Sequence, residues 1–167
     1  MSDGVTDRSF LLMALAKFMR AAAKVHGVTR VAVIGSLVTD KTSPKDADAL
    51  VTVRDDANFG LLSQLGRKLK GVAQTRNLGA DIFLASDSGA YIGRTCSYRE
   101  CHPRSACRGT QCGSGRWICN DLAIVSLPDS LVAEPPLEIW PKAIVRTALP
   151  ADTYRILIGD EAHSGAA

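Results

Sequence analysis

The stretch from 30 to 53 constrains this chain more tightly than any other. A β-branched run, RVAVI, stops abruptly at Gly35-Ser36, and nine residues later DADALVTV opens with two aspartates one residue apart. Both runs read as strands. In the second, the two-residue period puts Asp46, Asp48, Leu50 and Thr52 on one face and Ala47, Ala49, Val51 and Val53 on the other. Glycine lets a strand turn sharply, serine adds a hydroxyl, and the amides of the following turn can face an anion. Two carboxylates side by side repel and raise one pKa. A hard divalent cation removes that conflict, and magnesium favours one or two carboxylates together with substrate phosphates. The plainer alternative is a solvated strand edge after an ordinary loop.

The remaining chain sets limits on what such a site could serve. Its 167 residues suit one domain with its own core. A net charge of +3 is too small to argue for a nucleic-acid partner, and 5% aromatics exclude an extensive base-stacking platform. The apolar run at 9–16 is broken by Lys17 and Arg20, short of the roughly 20 residues that span a bilayer. Asp3 and Asp7 stand where a signal peptide would carry basic residues. The expectation is a cytoplasmic protein without a membrane partner, in which cysteines serve metal ligation or packing before disulfides.

Around the motif the periodicities predict an α/β (α+β) fold, a small mixed sheet flanked by helices. Leu11, Leu15, Phe18, Ala22 and Val25 form the stripe of a helix over 9–25, with Thr6 or Asp7 as cap and Gly27 as stop. His26 reads as a C-terminal cap. A second helix is expected over 59–70, with Leu62, Leu65 and Leu69 inward and Asp56 or Asn58 as cap. Arg67, Lys68 and Lys70 suit its C-terminal dipole, and Gly71 should end it. ADIFLA at 80–85 reads as a third strand, opening on Asp81. The expected division is a core over 1–92, a cysteine- and arginine-rich insert over 93–120, an extension over 121–158 and a disordered tail over 159–167. The extension is expected to pack on the core, its proline-rich stretch over 128–150 reading as a surface-hugging return with one short helix over 140–146.

A strand ending in Gly35-Ser36, nine residues, Asp46-Ala47-Asp48, then Asp81 on a later strand: this resembles the minimal nucleotidyltransferases of the DNA polymerase β superfamily over residues 9–92. The resemblance implies a nucleotidyltransferase fold and a magnesium site. Asp46 and Asp48 would ligate the metal, and Asp81 would complete the set and activate the acceptor hydroxyl. Gly35 and Ser36 would hold the β- and γ-phosphates of a nucleoside triphosphate. Lys41, in the loop between the two halves of the motif, could reach the same phosphates, as could Lys45. Such an enzyme transfers a nucleoside monophosphate, AMP in the first instance, to a hydroxyl and releases pyrophosphate. The acceptor could be a partner protein encoded nearby, as in the antitoxin-type (toxin–antitoxin) relatives, a small molecule, or an RNA end.

The insert holds all five cysteines. Cys96, Cys101, Cys107 and Cys112 lie within seventeen residues, with His102 and Cys119 as substitutes, and tetrahedral zinc is the simplest consumer of four thiolates. Packing of small buried residues in a loop is the competing use. Five arginines in the same stretch suit phosphate contacts or plain solvation. A rival from another class therefore stands beside the enzyme: a non-catalytic module of the same fold that binds nucleotide, nucleic acid or a partner protein.

Overall fold

The computed structural model describes residues 4–96, 118–119 and 125–159. Helix α1 (Asp7–Ala22) starts where the Thr6 hydroxyl accepts the Ser9 amide, and it buries Leu11, Leu12, Leu15, Phe18 and Met19. Strand β1 (Val28–Ile34) follows, then a single 3-10 turn over Gly35–Val38 and strand β2 (Asp46–Val53). Helix α2 (Phe59–Gln74) is capped by Asn58, whose side chain accepts the Leu61 amide. Gly71 does not end it. The helix runs on to Gln74, since a glycine inside a helix costs only about 1 kcal/mol and packing of Leu69 and Ala73 outweighs that.

Strands β3 (Gly79–Ser86) and β4 (Tyr91–Thr95) come next, with β5 (Ile118–Cys119) beyond them. The C-terminal part holds α3 (Asp129–Ala133), β6 (Leu137–Trp140), β7 (Ile144–Val145) and α4 (Ala151–Leu157). The helix expected over 140–146 is absent. In its place β6 and β7 pair as antiparallel strands, because Leu137 and Ile139 alternate with Glu138 and so present one apolar face. β6 thus puts part of the proline-rich stretch into the sheet beside β1, while residues 141–148 stay exposed at the surface.

The sheet is mixed and seven-stranded, in the order β5-β4-β3-β2-β1-β6-β7. β2 and β3 run parallel, joined through α2, and the other neighbours are antiparallel. Helices α1, α2 and α4 cover one face, against Val31, Val33, Ala47, Ala49, Val51, Val53, Ile82 and Leu84. The other face is covered less. There a smaller cluster of Ala32, Ile34, Leu50 and Ala85 lies under Val132 of α3, with Phe83, Tyr91 and Leu131 at its border. Alternation assigns Asp46 and Asp48 to the face of Leu50, and Asp81 to the face of Phe83, so all three aspartates share the less covered side.

Candidate functional site

β2 and β3 pair in register, Asp46 opposite Gly79 and Asp48 opposite Asp81. Adjacent strands lie about 4.8 Å apart, so Asp48 and Asp81 are direct neighbours on one face. On its other side Asp48 faces Ile34 of β1, which is buried. This explains the charge state of Asp48. Burial first, then the Asp81 carboxylate, then that of Asp46 push its pKa from 3.8 up to about 7. Every one of these influences disfavours the anion.

Asp81 has a different environment. Burial raises its pKa, Lys70 and Arg94 pull it back, and Asp46 adds to the rise, leaving it above the ordinary value. Arg94 Nη1 donates to Asp81 Oδ1 at 3.2 Å, and Lys70 Nζ stands 3.9 Å from the same oxygen. Among the described residues no three His, Cys, Asp or Glu side chains converge closely enough to hold a metal ion as they stand. The register gathers the three aspartates, and the two cations draw the third toward themselves.

Two glycines make room for the carboxylates. Gly35 has φ +79, in the region that favours glycine, and an added Cβ would stand 2.6 Å from Asp48 Oδ2. A Cβ on Gly79 would collide with Asp46 Oδ1. Gly35 was legible as a turn residue. Gly79 was not, because its role follows from standing opposite Asp46 across the sheet. Nor does the sequence mark Arg94 or Lys70 as site residues: Arg94 reads as one of five arginines in the insert, and Lys70 as a partner of the helix dipole.

Ser36 sits in the 3-10 turn, half-buried, its hydroxyl 3.5 Å from the Asp46 carbonyl. Lys41 is exposed on the loop that follows, and its carbonyl accepts from Arg8 Nη1 at 2.9 Å. Lys45 is exposed too, and its carbonyl accepts the Gly79 amide at 2.8 Å. Beside the turn a cleft of about 400 Å³ opens between Val38, Thr39 and Asp40 on one wall and Thr147 to Pro150 on the other. His26 lies at the opposite end of β1 and does not cap α1. Its Nε2 is 3.0 Å from Asp56 Oδ2, and α1 has already ended at Ala22.

Cys96 is buried, and its carbonyl accepts from Ser63 Oγ at 3.5 Å and Arg67 Nε at 3.2 Å. Arg67 thus serves the end of β4 as well as its own helix. Cys101, His102, Cys107 and Cys112 lie outside the described residues, and Cys119 is described only as a backbone partner of Arg94 in the sheet. No helix among the described residues is long and apolar enough to cross a membrane.

Among curated proteins and solved structures alike, none matches the chain significantly. Residues 2–103 match a family described as a family of unknown function, DUF6932. That span takes in α1 through β4, the Gly-Ser turn and all three aspartates. The chain belongs to the DUF6932 family.

Proposed function

We propose that this chain is a magnesium-dependent nucleotidyltransferase that moves a nucleoside monophosphate, AMP in the first instance, from a triphosphate to a hydroxyl acceptor. The observation that carries the reading is the state of Asp48: an acidic group with a pKa near 7, pressed against two further carboxylates and an apolar strand. Such a group is poorly matched to water and well matched to a hard cation. Asp46 and Asp48 fit magnesium as oxygen donors, and Asp81 joins them by parting from Arg94 and Lys70. Magnesium bound there would neutralise the charge of the triphosphate and of the departing pyrophosphate.

The protein's own groups have separate tasks. Gly35 permits the close approach of Asp48 to the turn, and Ser36 and the turn amides hold the β- and γ-phosphates. Lys41 extends the reach from the loop. Asp81 accepts the proton of the acceptor hydroxyl while that oxygen bonds to the α-phosphorus. The bond from the α-phosphorus to its bridging oxygen then breaks, and pyrophosphate carries the electron pair away. Until Asp81 parts from them, Arg94 and Lys70 hold its carboxyl down against its burial.

One observation favours the second reading, a non-catalytic module of the same fold that binds nucleotide, nucleic acid or a partner protein. Asp81 already has a cationic partner at 3.2 Å, as an inactive carboxylate would. Incubation with each labelled nucleoside triphosphate and magnesium, with and without proteins encoded nearby, separates the two. Transfer of label with release of pyrophosphate, lost in Asp46→Asn and Asp48→Asn, is the expected result. Absence of both in the wild type, with nucleotide or partner binding intact in the same variants, selects the module. Zinc belongs to this proposal only through Cys96 and the thiols beyond the described residues. Metal analysis of protein purified without added zinc decides it, one equivalent being expected.

A further inference from the structure

Two polar side chains from the ends of the chain meet on a single backbone atom of the candidate phosphate loop. Arg8, on the first turn of α1, is buried, and all three of its guanidinium nitrogens donate. Nη2 donates to the Leu37 carbonyl at 3.3 Å and to Thr153 Oγ1 at 2.7 Å, while Nη1 donates to the Lys41 carbonyl at 2.9 Å. Its Nε donates to Asp152 Oδ2 at 2.8 Å. Thr153, wholly buried in α4, donates its own hydroxyl to the Leu37 carbonyl at 2.7 Å.

Apolar residues of α1 and α4, Leu11, Leu12 and Leu157 among them, already pack in the core beneath the helices. Burying a guanidinium as well is costly unless its fork is matched, and here its backbone acceptors lie at both ends of the loop 37–41. Ser36 and Lys41, the two side chains assigned to the phosphates, flank the carbonyls so held. Because a peptide unit is planar, fixing a carbonyl fixes the direction of the next amide and limits the side chains on either side.

We infer that Arg8 and Thr153 are positioning residues that hold the loop carrying Ser36 and Lys41 in the orientation that takes a nucleoside triphosphate, a role that rests on the nucleotidyltransferase reading above. The C-terminal helix, which lies outside the family-matched residues, thereby sets how tightly the site holds its nucleotide. Asp152 completes the clamp. Burial pushes its carboxyl up, and the hydrogen bond and charge of Arg8 together with the backbone amides of Thr153 and Asp152 more than offset this, so that it titrates below the ordinary value.

The test uses the full chain in three forms beside the wild type: Thr153→Val, which removes the proton but keeps the shape, Thr153→Ser, which keeps it, and Arg8→Lys, which loses the fork. Amide hydrogen exchange is read by segment, and KM and kcat are measured with ATP and magnesium. In Thr153→Val and Arg8→Lys, exchange over 36–41 should rise roughly tenfold while 28–34 and 46–53 stay as in the wild type. KM should rise roughly tenfold with kcat within about twofold, and Thr153→Ser should restore both. Exchange that is unchanged, or raised equally in the strands, overturns the clamp. A loosened loop with an unaltered KM overturns the positioning role. A wild type that neither binds nor turns over any nucleoside triphosphate overturns the nucleotidyltransferase reading and the positioning role with it, while the exchange data still report whether the clamp holds the loop.

Discussion

On the helix-covered face of the sheet, Val31, Val33, Ala47, Ala49, Val51 and Leu84 are sealed beneath α1 and α2. On the opposite face, one residue along the same strands, Asp48 and Asp81 stand side by side with an ordinary hydrophobic neighbour in Ile34. Both faces are built from one alternating sequence, yet one gains stability from every side chain and the other gives some of it up. Two half-buried carboxylates side by side, with the pKa of Asp48 pushed up to about 7, cost stability that apolar side chains there would not. This contrast between a stabilising and a costly face is what the candidate site amounts to physically.

The comparison breaks most sharply in activity. Asp46→Asn and Asp48→Asn should each reduce nucleotide transfer by roughly 10³-fold or more, in a protein that still melts cooperatively. A residual rate near wild type would remove the acidic face from the chemistry. A core substitution should do the reverse. Leu15→Ala or Val51→Ala, beneath the helices, should cost roughly 2–4 kcal/mol in denaturant titrations, with transfer by the remaining folded fraction little changed.

The acidic face should respond in the opposite direction. Folded Asp48 keeps its proton to about pH 7, whereas an unfolded aspartate gives it up near 3.8. Between those values the folded state binds more protons, so this group lowers stability as pH rises through the window and leaves it level above. Asp48→Asn should therefore stabilise the protein by roughly 2 kcal/mol at pH 8 and by nothing near pH 3.5. Magnesium should recover part of the same deficit in the wild type. Equal melting of the two proteins at pH 8 would mean that Asp48 is well solvated.

Smaller effects sharpen the boundary between the faces. Gly35→Ala should cost about 1–2 kcal/mol from its positive φ and its approach to Asp48, and it should weaken magnesium protection as well. Asn58→Ala should cost about 1 kcal/mol by removing the cap of α2 and leave magnesium protection intact. Thermal melts with and without magnesium distinguish these two.

Much of the fold was legible because it is local. The alternation of 46–53 marks both ends of β2, RVAVI marks the C-terminal five residues of β1, and the leucine stripes mark α1 and α2 within a few residues. Thr6 and Asn58 were readable as caps from their chemistry and place. The return through β6 and β7 was not, because Leu137 to Trp140 is too short for its period to stand out among prolines, and pairing with β1 settles it.

By itself the sequence determined where β1, β2, β3 and the two long helices run and which residues of β2 face each way, since side-chain period is a property of the chain. It also placed a Gly-Ser turn before an Asp-x-Asp strand. Only the tertiary structure decided that β2 and β3 run parallel in a register that sets Asp81 beside Asp48, that Gly79 leaves room for Asp46, and that Arg94 and Lys70 reach Asp81. It likewise brought Arg8 and Thr153 to the Leu37 carbonyl. The physical reason is common to all of these. They depend on strand register and on contacts between distant segments, which no local period encodes and which burial of the whole core selects.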